Sequence, residues 1–552
     1  MKFKDLFVFL LFLVVHSSAQ VLRWKFQYPD ISPGDVARKV IYAPNNNICV
    51  GGHYQEYGQD IMVIGLDTLG NLIWGPVCFI GEYTDILFDM TCGADGNIYL
   101  AGSAEIIPPN PPAPGDFDAL FLALTWSGTP LWWYVYDYAG SYDEAYSVVQ
   151  GRDGNLYAAG YNGEQVGPHW YDIDFDFVAL SLTASGTLRW VYQYDNAGSQ
   201  QRTDIAKDIV FGDDNNVYVV GEISNDTLGT QSYDLAVVSL TPTGTQRWVY
   251  IYNGPGNGMD EAFSVIYKTG KLYITGFSTG IGTGHDITVL CLDTLGQQQW
   301  IYRYDGLGHL TDEAKEIIYG EDGNLYIAGF SYNSNTDFTV ISLDTLGNER
   351  WVYQKNGSAN SQDEANSLVY GEDCIYACGF VNNTNQSNDF AVIRINSTGI
   401  EDWIYSYNGA VSSYDDAFDL TFGPDKHIYA AGDASEISQY NREFTIISLV
   451  DTLLTGVSEK YNCSLNSNNL VVSGIIVLGN NLQFRLSLSN SEMVNFSIYN
   501  ILGQKITSRK IVCSAGVSEY CIRLPQNLAS GIYFLKAEYE KSTKVKKFIL
   551  IR

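Results

Sequence analysis

Basic residues are scarce in this chain: Lys and Arg number 32 against 62 Asp and Glu, a formal net charge of −30 over 552 residues. So acidic a surface repels nucleic acid and anionic membrane, and it favours solubility, cations and basic partners. Long apolar runs are missing too. Past the N-terminus nothing nears the ~20 apolar residues of a transmembrane helix, so no transmembrane segment is expected. The nine cysteines form no CxxC pair, share no repeat position and have no histidine at ligand spacing, which argues against zinc. Most read as small buried hydrophobes. Cys513 and Cys521 flank a turn and are placed to close a disulfide in an oxidising compartment.

Residues 1–19 read as a secretory signal peptide. Lys2 and Lys4 give the charged start, Leu6 to Val15 the apolar stretch, and Ser17, Ser18 and Ala19 a small-residue cleavage site. The remainder is 14% aromatic, with 40 tyrosines, which suits broad half-buried β-surfaces that keep hydroxyls wet.

One unit of sequence recurs eight times, clearest in residues 311–354. A tryptophan follows the same rhythm at Trp74, Trp133, Trp190, Trp248, Trp300, Trp351 and Trp403. A fixed period near 50 residues marks stacked supersecondary units. Each unit holds four short alternating segments bounded by Gly, Asp and Asn, the pattern of half-buried antiparallel strands. The first two are joined by GEDGN, GADGN, GRDGN or GDDNN, which suit tight hairpin turns and lack the ligand series of an EF-hand. The eighth unit has no tryptophan strand after FTIISLV (444–450). That strand is at the other end of the chain, as RWKFQYPD (23–30) with Trp24. The expected fold is therefore all-β: an eight-bladed propeller over residues 20–451, closed by its N-terminal strand and so without exposed edges.

The unit resembles the bacterial β-propeller repeat family, through Asp312-Glu313-Ala314, the hairpin from Gly323 to Gly329, and the strand from Asp337 through Leu343 to Gly347. A weaker likeness to quinoprotein propellers rests on the Gly347-to-Trp351 spacing. It implies a tryptophan packed between neighbouring blades, not a bound quinone.

The first-strand aspartates are the most tempting site residues. Asp143, Asp204, Asp260, Asp312, Asp363 and Asp415 are a possible cation ring for Ca²⁺ near one channel mouth; the alternative is that each carboxylate accepts backbone N–H bonds at a blade corner. No other cofactor is indicated. GFSTG (276–280) matches the Gly-x-Ser-x-Gly pattern, but Ser278 leaves a second strand where a nucleophile elbow needs a strand-to-helix turn. No catalytic constellation is found and an enzyme is not expected. The long loops in 104–116 and 161–173, the second bearing His169 and Trp170, differ most between blades and form the expected recognition face.

Past Asp451 the repeat stops; 452–465 reads as a linker, and 466–552 turns basic, with six segments of a small antiparallel β-sandwich. This tail resembles the C-terminal sorting domain of the type IX secretion system, on Phe496 to Asn500, Leu502-Gly503-Gln504, Leu528 through Gly531 and Tyr533 to Phe534, and Lys546-Lys547-Phe548. The resemblance implies docking to the secretion translocon through 466–552, and secretion to the outer cell surface of a Gram-negative-type bacterium. The function expected is a binding or scaffold module for an extracellular protein or glycan. A hydrolase or lyase acting on extracellular polysaccharide at the channel mouth is the alternative, and asymmetry in the channel is what would favour it.

Overall fold

In this computed structural model the described residues are 21–28, 34–43, 46–55, 59–79, 84–106, 116–138, 141–166, 173–194, 203–224, 232–384, 387–411, 413–435, 442–451, 471–478, 481–488, 492–500, 504–513, 516–525, 528, 531–539 and 542–550. The signal-peptide, linker and Gly503 readings lie outside them, as do the tips of both long loops with His169 and Trp170. The chain divides into two units, Met1–Gly456 and Val457–Arg552.

The first unit is eight four-stranded antiparallel sheets. In blade 1 the strands run Val36–Tyr42, Asn47–Gln55, Gln59–Asp67 and Leu72–Phe79, from the centre outward. The innermost strand of each blade packs on the next, and that of blade 8 (Asp416–Phe422) packs on that of blade 1, so the ring is closed. The outermost strand of blade 8 is β1 (Val21–Gln27), paired antiparallel with Arg442–Val450 from Val21 opposite Val450 to Gln27 opposite Thr445. Blade 8 thereby has four strands like the other seven.

Two recurring glycines explain how the blades are shaped and joined. Every innermost strand carries a β-bulge, as between Ala314 and Glu316 in blade 6. Opposite it lies the glycine that ends the second-strand motif; a Cβ on Gly329 would run into the Glu313 carbonyl oxygen, so the bulge admits no side chain there. The second glycine turns the third strand into the fourth. Gly347 has φ +85°, which L-residues with a Cβ rarely adopt, and it lies against the ring of Trp300 from the preceding blade. The Trp300 indole N–H donates to the Thr345 carbonyl in that same turn, at 3.1 Å. Trp190, Trp248 and Trp351 repeat this contact on Pro242, Thr294 and Ser397, and Trp24 of β1 makes it on Thr68, so blade 8 latches onto blade 1. Trp74 packs on Gly128 in the same way, and Trp403 is buried against Tyr376.

Blade 2 corrects the sequence reading. The docking residue is Trp132, not Trp133: its indole donates to Ala184 at 2.8 Å and it packs on Gly186, whereas Trp133 is 66% exposed. Adjacent residues of a strand face opposite sides, so only one of the pair can reach the next blade. We expect Trp132→Ala to lower stability by about 3 kcal/mol and Trp133→Ser to change it by less than about 0.5 kcal/mol, measured by chemical denaturation.

The acidic hairpin turns anchor the core. Asp322 accepts from the Asn324 amide and from the hydroxyl of buried Tyr326 at 2.7 Å; Asp153–Tyr157, Asp214–Tyr218 and Asp425–Tyr429 repeat the bond. Arg350 on the fourth strand reaches the same Tyr326 hydroxyl and the Ser342 hydroxyl. Six blades thus keep a fully buried tyrosine whose hydroxyl donates to an aspartate, Tyr99 and Tyr376 doing so to Asp95 and Asp451; blade 1 has Cys49 in this place.

The second unit is a sandwich of a three-stranded and a four-stranded antiparallel sheet around Val494, Phe496, Ile498, Ile522 and Leu535. Its first strand, Val471–Leu478, has no two-residue alternation and is absent from the six expected segments. Cys513 is buried in this core at the end of Lys505–Cys513, while the side chain of Cys521, its partner in the sequence-based pairing, lies outside the described residues. Gly531 opens the strand Gly531–Tyr539, Tyr533 is buried, and Lys546 and Lys547 pair with Leu535 and Phe534.

Candidate functional site

The first-strand aspartates all lie within the blades, each 0–1% exposed. Asp312 accepts from the Gly306 and Tyr332 amides, both at 2.7 Å; Asp260 from Gly254 and Thr279; Asp363 from Gly357 and Asn382; Asp415 from Gly409 and Ser435. Asp143 takes Tyr138 and Gly163, and Asp204 takes Ser224. Apart from Asp204, each of these carboxylates joins the incoming loop to the turn after the second strand within one corner. Two acid triads, Asp118–Asp137–Asp143 and Asp286–Asp305–Asp312, come within metal-ligating reach of one another. In the second, Arg303 already pairs with Asp286 at 2.7 Å and His309 with Asp305 at 2.7 Å. We expect Asp312→Ala to cost about 2–4 kcal/mol, because two buried amides lose a charged acceptor. Millimolar calcium should leave the melting temperature of the wild type unchanged, as read by differential scanning fluorimetry.

The motif residues set aside in the sequence have structural partners. Ser278 is fully buried in Lys271–Thr279, and its hydroxyl accepts from Arg303 at 2.6 Å. His53 is 2% exposed, and burial, with Arg38 nearby, pushes it down to about 3. His285 stacks on Phe277, and His427 lies 3.0 Å from Asp425.

What the structure brings together instead is a channel lining. At the residue just past the bulge, the blades present Lys39, Asp89, Ser147, Asp208, Ser264, Glu316, Ser367 and Asp419. Even-numbered blades carry an acid, blades 3, 5 and 7 a serine, and blade 1 a lysine. Each acid reaches the following odd blade: Asp89 accepts the Val148 amide at 2.9 Å, Asp208 that of Val265 at 2.8 Å, Glu316 that of Leu368 at 2.9 Å and Asp419 that of Val40 at 2.8 Å. The serines help, with Ser147 donating to Asp208 at 2.8 Å. Innermost strands are thereby stapled in pairs around the ring.

The electrostatics follow from one lysine among four carboxylates. Burial opposes the Lys39 charge, but Asp419, Asp89, Glu316 and Asp208 outweigh it and hold the ammonium well above its ordinary range. Burial pushes Asp208 up to about 6, although the Val265 amide and Ser147 favour its charged form. Glu316 is pushed up to about 7, burial again exceeding the help of Lys39, and Asp419 is raised for the same reason. The bulged residues form the next layer, with Phe88, Tyr146, Phe263 and Phe418 among Arg38, Lys207, Lys315 and Asn366. Between the two layers lies a cavity of about 240 Å³.

This layer is asymmetric. In blades 3 to 5, Lys207 lies 3.4 Å from Glu222 and over the Tyr146 ring, which in turn meets Tyr161 and Phe88. Glu144 and Glu261 stand on the neighbouring strands. In blades 6 to 8, Lys315 pairs with Glu364 and Asn366, and Arg442 with Asp433. Sequence reading missed both layers because it weighed residues shared by all blades, and these differ from blade to blade. The signal was present at one fixed place, two residues after the D-x-A motif.

Residues 480–551 match the family described as the secretion system C-terminal sorting domain. The tail is a type IX sorting domain. It marks the propeller as cargo for the secretion system, destined for secretion or the cell surface, and among the described residues no helix is long and apolar enough to cross a membrane. No curated protein matches the chain. Among solved structures, a periplasmic gluconolactonase of Pseudomonas aeruginosa is 13% identical with a TM-score of 0.41, over 65% of this chain and 95% of its own. A polysaccharide lyase of family PL25, an ulvan lyase, is 12% identical at 0.39, over 77% and 96%. PorZ, a surface component of the type IX system of Porphyromonas gingivalis, is 10% identical at 0.29, over 94% and 87%. Likenesses this distant carry no functional argument.

Proposed function

We propose that the sorted propeller is a non-catalytic binding module that seats one small polar unit, a saccharide residue of an extracellular glycan, in its central channel. The observation that supports this is the cavity of about 240 Å³, walled by carboxylates, serines and the Lys39 ammonium on one layer and by four aromatic rings with Lys207 and Lys315 on the other. Charged groups of both signs suit the hydroxyls of a sugar, and aromatic rings suit its C–H faces. Drug-sized ligands occupy roughly 300–1,000 Å³, so this volume fits a single small unit rather than a folded segment. A protein partner at the loops within 104–116 and 161–173 is the other form of this reading.

The hydrolase or lyase reading has one observation in its favour, the asymmetric acids of blades 3 to 5. Glu222 is 3% exposed, and neither it nor Glu261 borders the cavity, which favours binding in the channel over glycoside hydrolysis there. The test is a glycan array with purified secreted protein and with Ser264→Phe, which fills the channel. Binding by the wild type, lost on filling at unchanged melting temperature and without release of reducing ends, is the expected result. Binding that survives the filled channel would place the ligand elsewhere.

A further inference from the structure

The outermost strand of each blade lies at the rim of its sheet, paired on one side, and such an edge is a template for a further strand. In blades 3 to 8 it carries a charged side chain, Arg189, Arg247, Arg303, Arg350, Asp402 and Arg23 in turn, and charge is one way that natural edges discourage pairing. The strand of blade 1, LIWGPVCF, has no charge, but Pro76 brings no amide, and bulges on either side of Gly65 break its pairing with Gln59–Asp67. Blade 2 has neither device. Its outermost strand, Pro130–Tyr136, reads PLWWYVY, without charge, with proline only at its first residue, and with unbroken pairing from Trp132 to Tyr136. The exposed side chains mark the same strand. Leu131 is 47% and Trp133 66% exposed, two residues apart and so on one face. Leu131 stands where blades 3, 4 and 6 have the arginine that reaches the core tyrosine. The Phe79 ring of blade 1 lies 6.4 Å from the Trp133 ring and widens the apolar surface.

We propose that this edge pairs with the same strand of a second copy, antiparallel about a two-fold axis at Trp133, so that the two second blades join into one eight-stranded sheet. The strand is its own complement. Set against its image, Pro130 meets Tyr136, Leu131 meets Val135, Trp132 meets Tyr134 and Trp133 meets itself, so all seven residues are paired and every pair is apolar or aromatic. Cross-strand pairs of that kind stabilise antiparallel sheets, and the exposed indole gains a ring partner. A two-fold contact also closes on itself, which uses up the edge instead of extending it into a fibre. A basic partner, which the net charge of −30 would attract, finds no carboxylate on this strand. The same net charge sets two copies against each other at long range, so the pairing is weakest at low ionic strength. With 7 residues a side against about 20–30 in a standard interface, its dissociation constant falls in the micromolar range.

Sedimentation velocity on the full-length secreted protein, from about 1 to 200 µM, tests this. The expected result is a monomer–dimer equilibrium that is tighter in about 0.5 M salt than in about 0.05 M. Trp133→Lys should weaken the dimer at least about tenfold at unchanged melting temperature, and Leu131→Lys should do the same if the first variant does not fold. Ile251→Lys is the control. It puts the same charge at a 43% exposed position on the outermost strand of blade 4, and it should leave the dimer intact. Hydrogen exchange should slow on dimerisation within Pro130–Tyr136 and in no other outermost strand. A wild type that stays monomeric over the whole range would overturn the proposal. So would a dimer that both lysine variants of blade 2 leave unchanged, one that Ile251→Lys weakens equally, one that salt loosens, or one whose exchange protection falls on another strand.

Discussion

Removal of Val21–Gln27 should undo the propeller. This strand supplies the whole outer edge of blade 8, and Trp24 and Phe26 pack against the cluster of Met62, Ile64, Phe444 and Ile446 that joins blade 8 to blade 1. Without it Arg442–Val450 becomes an exposed edge with a row of unpaired amides, a template for aggregation. The Trp24 latch onto Thr68 is lost as well. Burying a Trp or Phe is worth about 3–5 kcal/mol by truncation to Ala, so the loss approaches the ~5–15 kcal/mol of a typical folded protein. The expected outcome is aggregation, or a melting temperature lowered by more than about 15 °C, with partial recovery when the seven-residue peptide VLRWKFQ is added in trans. An unchanged melting curve would show that the ring does not depend on this closure.

The second large effect is on pH dependence. Burial raises Asp208 and Asp363 to about 6, Glu316 and Asp415 to about 7 and Asp143 to about 8. In the unfolded chain these groups titrate near 4. Between pH 4 and 8 the folded protein therefore holds more protons than the unfolded one, so stability falls as pH rises. Their contribution is complete below about pH 4 and is lost as pH climbs through 6 to 8. The turn aspartates Asp67, Asp95, Asp153, Asp344 and Asp425 act in the opposite sense. Hydrogen bonds outweigh burial and hold them below their ordinary value, so their support is lost as pH drops under about 4. The melting temperature should rise by several degrees from pH 8 to pH 5 and then fall in stronger acid. Scanning calorimetry across that range checks it, and Asp208→Asn should flatten part of the upper limb. A melting temperature that rises from pH 5 to pH 8 would refute the assignment of buried, protonated acids in the channel and at the blade corners.

The fold was legible because its determinants recur. A turn glycine such as Gly347, the tryptophan it receives and the glycine opposite each bulge are forced by backbone geometry, so they repeat wherever the geometry does. The displaced strand around Trp24 was legible for the same reason. Trp133 was misread because two adjacent tryptophans fit the period equally well in one dimension, and only the alternation of strand faces separates them. Val471–Leu478 escaped because VVSGIIVL is a nearly continuous apolar run with no two-residue alternation to read. The candidate site was the least legible part. Glu222 lies in VYVVGEIS, a stretch that reads as plain core, and its partner Lys207 is on the neighbouring strand. The alternation of acid and serine around the channel has a period of two blades, which a search for residues common to every blade averages away.

The direct test of where this protein binds is a crystal structure of the wild type with the saccharide that it selects. Density for one sugar unit among Tyr146, Lys207, Phe263 and Glu316 is the predicted result. A sugar held only by the loops within 104–116 and 161–173, with the channel unoccupied, would contradict it.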